Sequence, residues 1–394
     1  MQMRPCYAEI ATRALEDNYR LLAQLVAPDA ELLAVVKANA YGHGLRLCAP
    51  AVVRAGARWL GVTSVEEGLE ARELCPQSRI LVIGGLFPGQ ADALIAHHLT
   101  AVVWDRWQIE QLERAAHAAH AAPGSVPVHL EIDTGMSRQG IDPAQINQAL
   151  HWFSPSSPLR LEAVMTHLYA ADDATGKITA EQFTRLATVL KAITEFGLLP
   201  EWLNVGNSAS LITGIAPQIV QLANRFGMKA MLRPGLVLYG LAPEFDPPFD
   251  VEPASLVEMR LKLVPVLSWK TSVTSVRQVP AGAVVGYSGT FVAVEPLTLA
   301  LLPVGYADGL SRLLGNRFSL LVHGQLAPIV GRVSMDQTVI DITGIAAVQP
   351  GDEVVLLGRQ GTAEITAQDH ARASQTISWD VFTRISSRVE RREV

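Results

Sequence analysis

Lysine is scarce in this chain: only six of its 32 basic side chains are lysine, and the others are arginine. The net charge of −6 excludes the basic surface that nucleic-acid-binding proteins need. The three cysteines (Cys6, Cys48 and Cys75) lack metal-ligand spacing, so we predict no metal site and reduced thiols, as in cytoplasmic proteins. No apolar run approaches the ~20 residues that cross a bilayer, and no secretory signal is visible, so no membrane association is expected.

One of the few lysines stands where a solvated charge would be unexpected. Lys37 closes the apolar run 32–36 and is followed by the small and aromatic residues of 38–44. Burial lowers the pKa of an amine, and a lysine that forms a Schiff base needs such a lowered pKa. The alternative is a strand-end lysine whose ammonium group reaches water. This stretch alone does not decide between the two.

The first ~240 residues alternate short β-rich runs with helical stretches, which predicts a TIM-type (β/α)8 barrel over residues 11–241. One helix is predicted to end at Leu74 and to begin with a capping box formed by Ser64 and Glu67, and another spans 177–196. The predicted strands are 32–37, 59–64, 80–84, 100–105, 128–133, 161–168, 202–207 and 232–240.

The pattern changes after this region. A proline-rich stretch at 242–250 predicts a linker. Closely spaced strand candidates follow it, which predicts a mostly β domain over residues 250–394. These candidates are 261–266, 271–279, 297–302, 318–322, 327–333, 338–342 and 353–357.

Barrel enzymes carry their functional residues at the carboxyl ends of the strands. The loops after strands 7 and 8, which often bind phosphate, here carry Ser208 and Gly235. A Schiff-base lysine that faces a phosphate site predicts pyridoxal phosphate as cofactor. Taken singly, such residues have ordinary explanations: His167 as a core histidine, Arg138 as an ion-pair partner and Ser208 as a helix N-cap. Their shared position at one end of a barrel favours the functional interpretation.

Eight ordered motifs lie along nearly the whole chain, at 34–44, 133–138, 166–167, 207–209, 233–240, 285–290, 304–309 and 331–336. Together they resemble the alanine racemase family, which are pyridoxal-phosphate enzymes of fold type III. The resemblance implies an isomerase that interconverts L- and D-alanine and supplies D-alanine for the cell wall or its catabolism. It also implies that residues 1–10 form a strand of the β domain.

The resemblance implies a cofactor site in the barrel. Lys37 would hold the cofactor through a Schiff base and act as one base. Arg233 would face the pyridine nitrogen, and His167 would lie beside the ring and link Arg233 to Tyr287. Since arginine does not give up its proton, the ring would be a poorer electron sink, which disfavours transamination. The residues implied to hold the phosphate are Tyr41, Ser208, Gly235 and Leu236.

The resemblance further implies a homodimer with shared active sites. Tyr287, from the β domain of the partner subunit, would be the second base, on the opposite face of the cofactor. Arg138 would contact the cofactor's phenolic oxygen and the substrate carboxylate, to which Met335 would offer its backbone amide. Tyr306 would narrow the access to the substrate site, and Asp336 closes the last motif as a supporting residue.

Two positions depart from the family's pattern. Glu131 stands where many members have a lysine that is often carbamylated and thereby made anionic. We expect Glu131, which needs no modification, to orient Arg138 by a charge-assisted hydrogen bond; a solvated strand-end carboxylate is the alternative. Trp379 stands where the family usually has a tyrosine that contacts the phosphate. Because indole is bulkier and donates one hydrogen bond, Trp379 leaves the phosphate contact and the side-chain preference open.

Three other functions remain as alternatives. A racemase for serine or for a broader set of amino acids would share every motif. A type III decarboxylase shares the barrel-plus-β plan, but its cysteine–aspartate substrate signature is missing after the linker. A non-catalytic pyridoxal-phosphate carrier protein would keep the lysine and barrel but would lack the β domain and Tyr287.

Overall fold

The computed structural model describes residues 4–245, 252 and 254–394. It divides into two compact units. The barrel unit consists of Arg13–Ala40 and Cys48–Val264, and the β unit consists of Met1–Thr12, Tyr41–Leu47 and Pro265–Val394. The predicted linker at 242–250 lies outside the described residues from 246 onward.

The barrel unit contains a closed barrel of eight parallel strands, as predicted. Its strands are Ala30–Val35, Trp59–Val62, Arg79–Val82, Thr100–Val103, Val126–Glu131, Leu159–Met165, Trp202–Asn204 and Lys229–Leu232. The first strand pairs with the eighth, with Leu32 opposite Leu232, which closes the barrel. Strands such as Trp59–Val62 are buried along their whole length, which explains their uninterrupted apolar sequence.

Helices alternate with these strands, and their apolar faces follow helical spacing. In the helix Lys177–Glu195 the buried positions include Leu186, Val189, Leu190 and Ile193. The helices of this part of the chain are Thr12–Val26, Leu45–Arg54, Val65–Leu74, Ala91–Ala96, Arg106–Ala118, Ile146–Leu150, Lys177–Glu195, Ser208–Ile212, Ala216–Arg225 and Ala254–Lys262, with short 3-10 turns at Pro143–Gln145 and Leu236–Tyr239.

The β unit is built mainly from a seven-stranded sheet. In it, the strand Cys6–Ile10 pairs antiparallel with Leu267–Ser272 and parallel with Glu390–Glu393. The other strands of this sheet are Ser319–Val322, Gln325–Pro328, Glu353–Gln360 and Ala363–Ile365. A three-stranded sheet and a hairpin complete the unit: Ser275–Val279, Leu297–Leu302 and Thr338–Asp341, and Val284–Val285 with Phe291–Val292. Its helices are Ala367–Ser374 and Ser378–Arg384, with 3-10 turns at Tyr287–Gly289, Tyr306–Asp308 and Arg312–Leu314.

Several predicted strands differ from the observed ones. The eighth barrel strand ends at Leu232 rather than at 240, and a 3-10 turn occupies Leu236–Tyr239. Pro234, which has no N–H to donate, follows this strand closely and helps to end it. The strand predicted at 261–266 is wrong, because the helix Ala254–Lys262 covers its first residues. Among the helices of the described ranges, none combines the length and the apolar composition of a membrane span.

Candidate active site

Lys37 follows the first barrel strand and begins a short, left-handed turn of the backbone. Ala38, Asn39 and Ala40 all have φ between 52 and 54°. Left-handed backbone costs roughly 1–2 kcal/mol for each residue that carries a Cβ, so such a turn persists only where contacts stabilise it. The Ala38 N–H donates to Oε1 of Glu67 at 2.7 Å, and the Ala40 N–H donates to the Val36 carbonyl at 2.9 Å.

Glu67 therefore has a contact that the sequence analysis missed. The predicted capping box is only half formed: Ser64 Oγ accepts from the Glu67 N–H at 3.3 Å. The Glu67 carboxylate does not return to the Ser64 N–H; its Oε2 accepts from the Thr63 N–H at 2.8 Å, and Oε1 accepts from Ala38. A glutamate three residues after a serine indicates a helix start, and nothing in the sequence links it to the lysine loop.

The environment of Lys37 favours its neutral amine. Lys37 is half-buried, and its pKa is lowered first by burial and then by the positive charges of Arg138 and Arg233, with Glu67 acting in the opposite direction. The neutral amine is the form that attacks a carbonyl carbon. Partial burial and the lowered pKa favour the Schiff-base interpretation over a strand-end lysine whose ammonium group reaches water.

Arg233 lies just beyond the eighth barrel strand and is only 5% exposed. Its Nη1 donates to the Asn204 carbonyl at 2.7 Å and to Asn204 Oδ1 at 2.5 Å. Its Nη2 donates to the Thr166 carbonyl at 2.9 Å and lies 3.3 Å from Nδ1 of His167. Within the described residues, the Nε–H of Arg233 has no acceptor, so this group remains available to a ligand.

His167 is held in its neutral form. Burial, followed by the positive charges of Arg233, Arg138 and Lys37, lowers the pKa of His167 to about 3. Because Arg233 can only donate, Nδ1 of His167 is the acceptor and the ring proton resides on Nε2. His167 can therefore donate one hydrogen bond through Nε2 while adding no charge to the site.

Glu131 contacts a different partner from the one predicted. It is 2% exposed, which excludes the solvated carboxylate, and its Oε2 accepts from Nε2 of Gln139. The expected hydrogen bond from Arg138 is wrong for the structure as described: Arg138 is exposed, whereas Gln139 is half-buried and also donates to the Ile83 carbonyl at 3.2 Å. Burial raises the pKa of Glu131, while the bond from Gln139 and the charges of Arg233 and Arg138 oppose this shift.

The loop that carries Arg138 is shaped by Asp133. Its Oδ1 accepts from the N–H groups of Gly135 at 2.8 Å and Ser137 at 3.1 Å, and Ser137 has a left-handed φ of 56°. Arg138 follows directly, and in the described part of the chain its guanidinium has no hydrogen-bond or ion-pair partner. Its five N–H donors are thus available to an anionic ligand.

The predicted phosphate-binding residues of the barrel unit are close together. Ser208 Oγ accepts from the Gly235 N–H at 3.0 Å and from the Val237 N–H at 3.4 Å, and Leu236 begins the adjoining 3-10 turn. Tyr41 is also buried, and burial raises its pKa to about 12. It belongs to the β unit, and its role at a phosphate stays a prediction, as do those of Ser208, Gly235 and Leu236.

The β unit brings Tyr306 and Met335 together. The Tyr306 N–H donates to the Ser334 carbonyl and the Ala307 N–H to the Met335 carbonyl, each at 3.0 Å. A Cβ added at Gly305 would lie 2.3 Å from both carbonyl oxygens, so this close approach requires glycine. Tyr306 and Met335 are 42% and 54% exposed.

Tyr287 stands on a separate turn of the β unit and is 68% exposed. Gly286, with φ 75°, and Ser288, with φ 62°, flank it, so the backbone is left-handed on both sides. The Arg332 Nη1 donates to Ser288 Oγ at 3.2 Å and connects this turn with the 331–336 motif. The turn thus projects a phenol that its own chain leaves largely uncovered.

Asp336 and Trp379 are the remaining predicted residues of the β unit. The carboxylate of Asp336 accepts a hydrogen bond from Arg388 Nη2 at 2.7 Å, so it is paired with an arginine of its own unit. Trp379 is half-buried in the helix Ser378–Arg384. That helix packs closely on the segment after Tyr41, because a Cβ at Gly42 would lie 2.1 Å from the Phe382 carbonyl oxygen.

Known proteins share both sequence and fold with this chain. Residues 10–243 match the family model "Alanine racemase, N-terminal domain" and residues 266–393 match "Alanine racemase, C-terminal domain". The chain is 37% identical over 389 residues to alanine racemase from Symbiobacterium thermophilum, a match that covers 99% of this chain and 97% of the relative. It is 36% identical over 388 residues to alanine racemase from Halothermothrix orenii, which covers 98% and 96%.

A solved structure extends this likeness to three dimensions. The alanine racemase from Bartonella henselae with covalently bound pyridoxal phosphate superposes with a TM-score of 0.83 at 28% identity, covering 99% of each chain. A closed (β/α)8 barrel followed by a mostly β domain is the class of fold involved. Because the two family models together match most of the chain, the protein belongs to the alanine racemase family, whose members are isomerases.

Proposed function

We propose that this protein racemises alanine with pyridoxal phosphate bound to Lys37. The observation that carries the proposal is the half-buried Lys37 amine, whose pKa is lowered, on a left-handed turn in the same unit as Arg233 and His167. The Bartonella henselae relative, which holds pyridoxal phosphate covalently, supports the choice of cofactor.

The described residues of the barrel unit fit that cofactor. An amine with a lowered pKa, a guanidinium Nε–H without an acceptor among the described residues and a hydroxyl that accepts from a glycine amide and can donate its own proton would match an aldehyde, a ring nitrogen and a phosphate. These groups belong to Lys37, Arg233, Ser208 and Gly235. When bound, the cofactor supplies an electron sink that acidifies the Cα proton of an amino acid.

Two bases would move that proton between the faces of the substrate. Lys37 would act on one face and Tyr287 of the partner subunit on the other. The neutral His167, with its proton on Nε2, would donate to the phenolate oxygen of the partner's Tyr287 and stabilise it as a base. Arg233, bonded to Nδ1, would fix His167 in that orientation.

Substrate binding would use the open donors of both units. The exposed Arg138 would pair with the carboxylate, to which Met335 would add its backbone amide. Tyr306 would restrict access from the solvent. These residues would select an α-carboxylate, and Trp379 would face the substrate side chain.

Exchange of the α-proton tests the proposed function directly. In deuterated water, the protein with pyridoxal phosphate should exchange and racemise L-alanine, as followed by NMR and chiral chromatography, and faster than serine or longer amino acids. Borohydride should fix the cofactor covalently to wild-type protein and fail to do so in Lys37→Ala. A covalent adduct in Lys37→Ala, or release of carbon dioxide without exchange, would overturn the proposal.

The physiological part of the proposal is that the protein supplies D-alanine for the cell wall or begins its catabolism. Expression in a bacterial strain that depends on added D-alanine should restore growth without the supplement, and Lys37→Ala should not. If the wild-type protein fails to restore growth although it racemises alanine in vitro, the supply role is wrong while the catalytic one stands.

Trp379 favours a second candidate, a racemase with altered side-chain tolerance. Pocket changes of this size are worth about 1–3 kcal/mol between substrates, so Trp379→Tyr should change the ratio of alanine to serine turnover by about tenfold or more. Measuring kcat/KM for both amino acids checks this. Trp107→Tyr, on the barrel helix Arg106–Ala118, is the matched control. An unchanged ratio in Trp379→Tyr would show that the indole does not line the side-chain site.

Glu131 should contribute through its charge. Glu131→Gln keeps an acceptor for Gln139 but removes the anion near Arg138 and Arg233, and Glu131→Ala removes both. We expect kcat/KM to fall about tenfold in the first variant and further in the second. Activity should not change when carbon dioxide is removed, because no carbamate is needed. Wild-type kinetics in Glu131→Ala would contradict this role.

A further inference from the structure

A line of buried polar side chains runs through the interior of the barrel and has no part in the proposed reaction. It consists of Glu162 on the sixth strand, His129 on the fifth and Asn204 on the seventh, and it ends at Arg233. His129 and Asn204 are fully buried and Glu162 is 1% exposed. Polar groups at such depth are costly unless they are paired, so their contacts are informative.

The contact with Arg233 fixes the orientation of Asn204. A guanidinium has only donors, so the Asn204 atom 2.5 Å from Nη1 must be the acceptor Oδ1. The amide nitrogen Nδ2 then faces the other way and lies 3.1 Å from Nδ1 of His129. Because an amide nitrogen only donates, Nδ1 of His129 accepts, and the proton of the neutral ring must be on Nε2.

The other ring nitrogen of His129 faces a carboxylate. Its Nε2 lies 3.4 Å from Oε2 of Glu162, but the contact lacks hydrogen-bond geometry, and Nε2 has no hydrogen-bond partner among the described residues. The ring and the carboxylate therefore interact only electrostatically, and this is the weakest contact of the line. The Glu162 carboxylate also accepts from Arg79 Nη2 at 2.8 Å and from Arg160 Nη2 at 3.0 Å.

The protonation states agree with this arrangement. Burial lowers the pKa of His129, so the ring is neutral. Burial would raise the pKa of Glu162, but the neighbouring His129 ring and the hydrogen bond and charge of Arg79 outweigh it, so the pKa is lowered. The guanidinium of Arg79 stacks 3.9 Å over the ring of Trp59. The centre of that ring is 5.6 Å from the centre of the His129 ring, so Trp59 packs against both neighbours of Glu162.

We propose that Asn204, His129 and Glu162 are positioning residues for the guanidinium of Arg233. Hydrogen bonds donate from Arg233 to Asn204 and from Asn204 to His129, and the negative charge of Glu162 faces the Nε2–H of His129. An anion at the far end makes each acceptor stronger: Glu162 attracts the Nε2 proton, which makes Nδ1 a better acceptor for Asn204. Oδ1 is in turn a better acceptor for Arg233. The inference rests on the proposed function only in assigning Arg233 to the cofactor.

Asn204→Asp reverses the chemistry of the central contact without changing its shape. An aspartate cannot donate, so His129 would have to place a proton on Nδ1 to remain paired. NMR of the ring nitrogens, on full-length protein labelled with ¹⁵N-histidine and free of cofactor, distinguishes the forms. We expect the Nε2–H form in wild-type protein and a protonated Nδ1 in Asn204→Asp. A protonated Nδ1 in the wild-type protein would by itself overturn the proposal, even if the variant did not fold.

Glu162→Gln tests whether the line orders Arg233. Exchange of the Arg233 guanidinium protons with solvent, followed by NMR without cofactor, should accelerate about tenfold when the charged acceptor is lost. Glu31→Gln is the matched control. Glu31 lies on the first barrel strand and forms an ion pair with Arg58, and it contacts neither Arg233 nor the residues of the line. Equal effects of the two substitutions would mean that the line only fills the barrel.

The same variants separate this inference from the proposed function. With pyridoxal phosphate added, Glu162→Gln should weaken cofactor binding more than Glu31→Gln does, as measured by equilibrium dialysis. If wild-type protein binds no pyridoxal phosphate, the proposed function fails, whereas the NMR results still decide whether Arg233 is positioned by the line. Cofactor binding that is equally tight in Glu162→Gln and in wild-type protein would contradict a positioning role toward the cofactor.

Discussion

A mixture of Lys37→Ala and Tyr287→Phe protein is expected to regain about a quarter of wild-type activity, although each variant alone should be nearly inactive. In a head-to-tail dimer, each proposed site takes Lys37 from one subunit and Tyr287 from the other. A mixed dimer therefore has one site with both residues intact and one with neither. Random exchange makes half of the dimers mixed, and each recovers half of its sites.

The placement of the two residues motivates this prediction. Lys37 lies in the barrel unit, and Tyr287 lies in the β unit on a turn that leaves 68% of its surface uncovered. Tyr306 and Met335, in the same unit, are also exposed. Exposed aromatic and thioether side chains on a single chain are typical of surfaces that a second protein surface covers.

The experiment needs proof that mixed dimers form. The two variants would carry different tags, be co-expressed and be isolated through both tags before activity is measured. The isolated mixed dimers should show about half of wild-type activity, because one of their two sites is intact, whereas the unfractionated mixture should show about a quarter. A subunit that carries both substitutions, paired with another Lys37→Ala subunit, should stay inactive and is the control. No recovery in isolated mixed dimers would exclude the shared site, and recovery in the control would show that the assay responds to something else.

The barrel could be predicted because its strands are buried on both faces and read as apolar runs. The strand Thr100–Val103 is such a run. A helix start could be predicted as well, since Ser64 caps the helix Val65–Leu74. Carboxyl ends of parallel strands converge, so the sequence assigns Lys37 and His167, both near the ends of predicted strands, to one end of the barrel. Arg233 does not follow from this argument, because it stands near the start of the strand predicted at 232–240, whereas the observed strand ends at Leu232. The end of the eighth strand could not be placed, because residues 236–240 are as apolar as a strand.

The contacts around the site were less accessible to sequence reasoning. Proximity in sequence and opposite charge predict a bond between Glu131 and Arg138, but the structure places the half-buried Gln139 against Glu131 instead. The sequence predicts a role for Glu67 only in its own helix, whereas its bond to Ala38 spans 29 positions. Each choice between neighbouring side chains depends on the direction of a few χ angles, which no periodicity encodes.

The pairing of the buried polar residues inside the barrel is also beyond what the sequence alone can predict. His129, Glu162 and Asn204 interrupt apolar strands, so the sequence could have marked each as a buried polar residue. Their pairing depends on the register between strands, which sets Ala163 opposite His129 and Asn204 opposite Met165. Register in a barrel follows from closure and packing of the whole sheet, and it cannot be read from any one strand.

Tyr287→Phe is expected to slow removal of the α-proton from L-alanine by about 100-fold or more, with a much smaller effect on D-alanine. The proposed arrangement puts Lys37 on one face of the substrate and Tyr287 of the partner subunit on the other. Loss of the phenol oxygen removes the base on the tyrosine face, which we assign to the L-enantiomer, and leaves the lysine amine in place. The two enantiomers should therefore respond unequally to one substitution.

Initial rates of deuterium incorporation at Cα, started separately from each enantiomer, measure this inequality before racemisation mixes the two. Tyr7→Phe is the matched control, since Tyr7 lies in the same β unit on the strand Cys6–Ile10 and its ring stacks against Arg392. That control should change neither rate. Because a single base serving both faces would be affected equally for L- and D-alanine, equal slowing in Tyr287→Phe would exclude the assignment of the bases to opposite faces. Wild-type rates for both enantiomers would exclude Tyr287 as a base altogether.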